Sequence, residues 1–105
     1  MSDTLPPITV DQLEQILKNP NFKTYLYLGS AGDTGWKLAV ATQNLLAGMR
    51  SYLVKSSTHS DIRTAYGVPK SHVGVVFGRS NQVSKTLTKN QAKDFYTVVH
   101  AVKEA

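Results

Sequence analysis

Thr9 and Gln12 stand three residues apart just ahead of Leu13, Ile16 and Leu17, which recur at the spacing of one helical face. The pattern predicts a first helix from Val10 to Lys18, capped by Thr9 and ended by Asn19-Pro20-Asn21. Phe22 to Leu28 then thickens into a run of Tyr, Leu and Thr that reads as a central, largely buried strand. From Trp36 to Met49 the apolar positions cover a wide helical face, with a stop near Gly48, and Ser51 to Lys55 follows as a short strand. Ser60 is the expected N-cap of a helix over Asp61 to Tyr66, with Gly67 as its left-handed C-cap. His72 to Phe77 and Gln82 to Leu87 read as two strands of a hairpin turned by Gly78-Arg79-Ser80-Asn81. Thr88 and Gln91 repeat the capping spacing before a last helix whose stripe is Ala92, Phe95, Val98, Val99 and Val102.

The element order is βαβαββα, or αβαβαββα if the Pro-rich leader forms no strand. Residues 1–8, closed by Pro6-Pro7, are expected to be a mobile leader, and residues 1–105 to form a single domain. A strand–helix–strand crossover followed by a helix and a hairpin implies an α/β fold, with a mixed sheet and helices on both faces. No apolar run approaches a membrane span and no secretory leader is legible, so a cytoplasmic protein without membrane contact is expected.

Charge sharpens the picture in one respect. Residues 50–105 hold nine basic and three acidic groups, whereas residues 1–49 hold three basic and four acidic ones. The excess makes a nucleic acid or an acidic protein a candidate partner, with Arg79, Lys85, Lys89 and Lys93 as the nucleic-acid contacts. There is no cysteine, hence no disulfide, no thiolate chemistry and no Cys-ligated metal. His59, His72 and His100 stand far apart and without metal spacing, so neither metal nor cofactor is expected.

The stretch Leu26-Tyr27-Leu28-Gly29-Ser30-Ala31-Gly32-Asp33-Thr34-Gly35-Trp36-Lys37-Leu38 resembles the strand, active-site loop and second helix of the thioredoxin family. Counting back from Lys37 puts that family's Cys-x-x-Cys on Asp33-Thr34-Gly35-Trp36. The segment Tyr66-Gly67-Val68-Pro69-Lys70-Ser71-His72-Val73-Gly74-Val75-Val76-Phe77 resembles the family's run into its fourth strand and puts its cis-proline on His72. Leu87 to Phe95 resembles the lead-in to the last helix. The resemblance implies a thioredoxin-like three-layer sandwich with a mixed four- to five-stranded sheet, lacking both functional motifs of the family. Without a thiolate, thiol–disulfide exchange is excluded.

The resemblance also implies that the loop at Asp33 and the turn at His72 lie side by side, on the surface where the family docks polypeptides. Asp33, Thr34, Trp36, Ser71 and His72 are therefore the expected partner-binding residues of a non-catalytic module, an adaptor, chaperone or accessory subunit. A His72–Asp33 pair with Ser71 or Thr34 would be the start of a hydrolytic triad, but the chain has no nucleophile elbow or oxyanion loop. Gly29, Gly32 and Gly35 match neither dinucleotide nor Walker spacing, and Asp33 or Thr34 is expected to cap the helix that follows. Sheet edges, including Gln82 to Leu87, leave a homodimer open.

Overall fold

A computed structural model describes residues 4–19 and 21–105. Residues 1–3 of the expected leader and Pro20 of the expected helix stop lie outside the described residues.

The capping box forms as the spacing predicts: the Thr9 N–H donates to Gln12 Oε1 at 2.8 Å, and the Gln12 N–H points back to the Thr9 hydroxyl. The helix it opens, α1 (Val10–Ile16), buries Leu13. Ahead of it the leader is structured. Pro7–Ile8 form β1, paired in parallel with Leu53 and Val54, and Leu5 is buried. Proline is tolerated there because an edge strand leaves one row of N–H groups unused. The order is therefore βαβαβαββα, longer by two elements than the first expectation and by one than the second.

After α1, strand β2 (Lys23–Tyr27) leads through a loop to helix α2 (Thr34–Leu45). This helix stops earlier than its apolar stripe suggests. Leu46 turns extended, Gly48 takes φ 77°, and Met49 begins strand β3 (Met49–Val54) opposite Lys23. A glycine in the left-handed region ends the helix more decisively than the following methionine could extend it. A 3-10 turn at Ser56–Thr58 precedes α3 (His59–Tyr66), so Thr58 and not Ser60 holds the N-cap position, without a side-chain cap bond. Gly67 ends α3 at φ 66°, as expected.

Strands β4 (His72–Phe77) and β5 (Val83–Thr88) form the hairpin. The Thr88–Gln91 pair of bonds also forms, at 2.9 and 3.2 Å, but it leads into a 3-10 turn at Gln91–Lys93 and not into the last helix. The last helix, α4 (Phe95–Glu104), begins after Asp94.

The sheet runs β1-β3-β2-β4-β5, with the first three strands parallel and β4 and β5 antiparallel to their neighbours. One face carries α2 and α4 over Tyr25, Tyr27, Val76 and Leu87; the other carries α1 and α3 over Leu26, Leu28, Val75 and Phe77. Alternation along β2 thus sends its tyrosines to one core and its leucines to the other. No helix among the described residues is long and apolar enough to cross a membrane.

Candidate functional site

Tyr27 is the last residue of β2, and its side chain crosses the loop that follows. The ring lies so close to Gly29 and Gly35 that a Cβ on either would overlap it; at Gly35 a Cβ would stand 2.5 Å from the phenol oxygen. Gly32 has open space but takes φ 83°, a conformation that a side chain would strain. The three glycines of the loop therefore have two jobs, room for a ring and a reversal of the chain. Neither job is phosphate binding.

The phenol that the glycines admit donates to Asp33, its oxygen 2.8 Å from both carboxylate oxygens. Asp33 also accepts from the Trp36 N–H at 2.9 Å, as the N-cap of α2, and from the Ser30 N–H at 3.2 Å. Partial burial pushes its pKa up, but the Trp36 N–H, the Tyr27 phenol, the Ser30 N–H and the Lys93 ammonium outweigh it and hold the carboxyl below its usual range. Burial first, then the bond to Asp33 and that residue's charge, push the Tyr27 phenol above its usual value, so it remains a donor. Asp33 is thus a fully engaged anion.

Thr34 and Ser71 are exposed. They sit at the same end of the sheet, because the Leu28 N–H donates to the Val73 carbonyl at 2.7 Å and Tyr27 pairs with Gly74. Trp36 is half-buried against the α2/α4 core, its Nε1 buried without a hydrogen-bond partner. It is a packing residue first and a surface residue second.

His72 faces elsewhere. A register shift between His72 and Gly74 breaks the ladder, and His72 Nδ1 lies 2.6 Å from Thr86 Oγ1. Thr86 pairs with Val75, which belongs to the α1/α3 core, whereas Tyr27 belongs to the α2/α4 core. The imidazole is therefore engaged across the sheet from Asp33, and no hydrogen bond or ion pair joins the two. The expected His72–Asp33 neighbourhood holds for the backbone turns and not for the side chains, which removes the triad geometry.

The four basic candidates do not form one stripe. Arg79 reaches Gly48, at the hairpin end of the sheet, with Nη2 3.2 Å from where a Cβ would stand. Lys89 and Lys93 belong to the opposite end, where Lys93 acts on Asp33. Lys85 lines a shallow cavity of about 300 Å³ with Tyr96, Thr97, His100 and Glu104. Tyr96 is 76% exposed there, and His100 Nδ1 lies 3.6 Å from Glu104. Among the described residues no group of three or more His, Cys, Asp or Glu could hold a metal ion.

Tyr27 is the site residue that pattern reading passes over. Its signal was an aromatic two residues before the first of three evenly spaced glycines.

No family model and no curated protein matches the sequence. Solved structures do match in shape. One, described as a designed protein, has a TM-score of 0.76 at 11% identity, covering 96% of each chain. Another, described as "a putative oxidoreductase with a thioredoxin fold", has a TM-score of 0.63 at 14% identity, covering 93% of each chain. The chain has a thioredoxin-like fold. On this thioredoxin-like frame the strand–loop–helix at Tyr27–Trp36 contains no cysteine, so the thiol pair of a disulfide oxidoreductase is absent.

Proposed function

We propose that this thioredoxin-like chain is a non-catalytic module that docks a protein partner on the surface formed by the Ser30–Thr34 loop and the Ser71 turn. The observation that carries the reading is the state of Asp33. It stands where the family resemblance puts the first cysteine, and three donors hold it as a structural anchor under an exposed rim. A carboxylate so engaged is a poor nucleophile or base, and it fixes the rim in one shape, which lowers the entropy cost of docking. An adaptor, chaperone or accessory subunit of a larger assembly fits this arrangement.

Thr34→Arg and Ser71→Arg place bulk and charge on exposed positions without touching the core. Affinity capture with the wild type and with each variant tests the reading. One discrete protein held by the wild type and lost by both variants is the expected result. Retention by both variants overturns it.

A second reading, an accessory protein that binds nucleic acid, is favoured by one observation: the exposed Tyr96 ring shares its cavity with Lys85 and His100. An exposed aromatic face beside a lysine is what a single strand stacks on, with Glu104 as the one anion of the same cavity. This reading requires binding of an oligonucleotide that weakens steeply with added salt and with Tyr96→Ala. Salt-independent binding, or none at low salt, removes it.

A further inference from the structure

Across the sheet from Asp33, helix α3 and the turn after it border an open cavity of about 570 Å³ lined by His59, Ser60, Arg63, Thr64, Val68 and Lys70. The docking surface above names none of these six residues, though Lys70 belongs to the same turn as Ser71. His59 and Arg63 stand one turn apart on α3, as do Ser60 and Thr64, so four polar side chains share one side of the helix. Gly67, at φ 66°, then reverses the chain, Val68 is buried as the apolar floor, and Lys70 returns to the rim.

The chemistry of the lining is one-sided. Arg63 and Lys70 supply permanent positive charge, Ser60 and Thr64 supply hydroxyls, and no Asp or Glu is among the lining residues. Arg63 is pre-positioned, because its Nη1 donates to the His72 carbonyl at 3.1 Å and the rest of the guanidinium fork is left to donate elsewhere. His59 is fixed as well. Its Nε2 donates to the Val54 carbonyl at 2.9 Å, since a carbonyl can only accept.

We propose that this cavity binds a small phosphorylated molecule, its phosphate between Arg63 and Lys70 and its hydroxyl-bearing body against His59, Ser60 and Thr64. Planar guanidinium and mobile ammonium together suit a phosphate monoester, and the hydroxyls and His59 suit a polyol such as a sugar. The volume falls within the range of small-molecule sites and leaves room for more than one phosphate group.

The test is titration of the full chain with ribose 5-phosphate, ribose and inorganic phosphate, followed residue by residue through backbone amide NMR shifts. Ribose 5-phosphate is expected to move the amides of His59, Ser60, Arg63, Thr64 and Lys70 and to bind more tightly than either fragment. Lys70→Ala, on an exposed turn, is expected to weaken it about tenfold, the size of one lost charge-assisted hydrogen bond, with recovery in Lys70→Arg. Arg79→Ala, at the hairpin end of the sheet, leaves binding unchanged. Equal binding by ribose and ribose 5-phosphate, shifts spread over all the surface lysines, or full affinity in Lys70→Ala would each overturn the proposal.

Discussion

On the α1/α3 face Leu13, Leu17 and Ile62 cover Val75 and Phe77 of the sheet, with Tyr66 set edge-on to Phe77 at 5.2 Å. On the α2/α4 face the same sheet buries Tyr25 and Tyr27, with Trp36 packed alongside. Ser51, which pairs with Tyr25 across β3 and β2, is also buried. Four buried side-chain polar atoms lack a hydrogen-bond partner among the described residues, and three of them, Tyr25 Oη, Trp36 Nε1 and Ser51 Oγ, belong to this second face. The fourth, Arg50 Nε, belongs to a guanidinium that instead stacks 4.3 Å over the Phe22 ring. The first face is the drier of the two, although Thr24 is buried there beside Phe77 and Arg50 reaches the Ile16 carbonyl. The other leaves buried polar atoms unpaired on the same side of the sheet as Tyr27, the ring that shapes the Asp33 loop.

The largest expected effect lies on the drier face. Phe77→Ala should cost about 3–5 kcal/mol in chemical denaturation, because it opens a cavity among aliphatic side chains. A loss below that range would show that this core collapses around the gap and is no better packed than its counterpart.

On the other face, Tyr27→Phe should cost about 1.5–3 kcal/mol, the worth of a hydrogen bond to a charged group. Gly35→Ala should cost about 1–3 kcal/mol by overpacking against the same ring. In a Tyr27→Ala background the Gly35→Ala penalty should shrink, and a double-mutant cycle measures that coupling. Additive costs would mean that the glycine is there for its backbone and not for the ring.

The two faces should also differ in their response to pH. The folded-state pKa of Asp33 is depressed, so its contribution is present above the ordinary carboxylate range, near 4, and is lost as pH falls through the folded value. Burial raises both Tyr25 and Tyr27, so their contribution is present below about 10 and is lost as pH rises beyond it. Asp33→Asn should flatten the acid limb, and Tyr25→Phe part of the alkaline one, in denaturation midpoints followed against pH. Phe77→Ala should lower the whole curve without changing its shape.

The smallest effect is the most discriminating. Tyr25→Phe removes a buried hydroxyl that has no partner, so neutral stability should hold or rise by up to about 1 kcal/mol. A clear loss would mean that the hydroxyl is satisfied and that the α2/α4 face is as well sealed as the other.

The Thr9–Gln12 capping box, the Thr88–Gln91 pair and the Gly67 stop were legible because each is a local bond between residues close in sequence. The β1 strand was not, since two residues including a proline carry no periodicity and become a strand only beside Leu53 and Val54. Met49 joined the helical stripe in sequence because it is apolar; only the backbone of Gly48 separates it. At the candidate site, a cap at Asp33 or Thr34 was legible from the residue types ahead of the helix, and the fold gives it to Asp33. The turn of His72 toward Thr86 did not, because a single register shift decides which face of the sheet the ring meets. The roles of Gly29 and Gly35 belong to a ring that folds over its own loop, which no count of glycine spacing contains.

Trp36 is the chain's single tryptophan, beside five tyrosines, and its indole is seated where the loop joins α2. Its fluorescence is therefore a built-in optical reporter of that junction. Because the Trp36 N–H caps onto Asp33, loosening of the loop shifts the emission toward that of a wet indole even while the far side of the sheet is still folded. The protein needs no added label to show whether the Asp33 loop is intact.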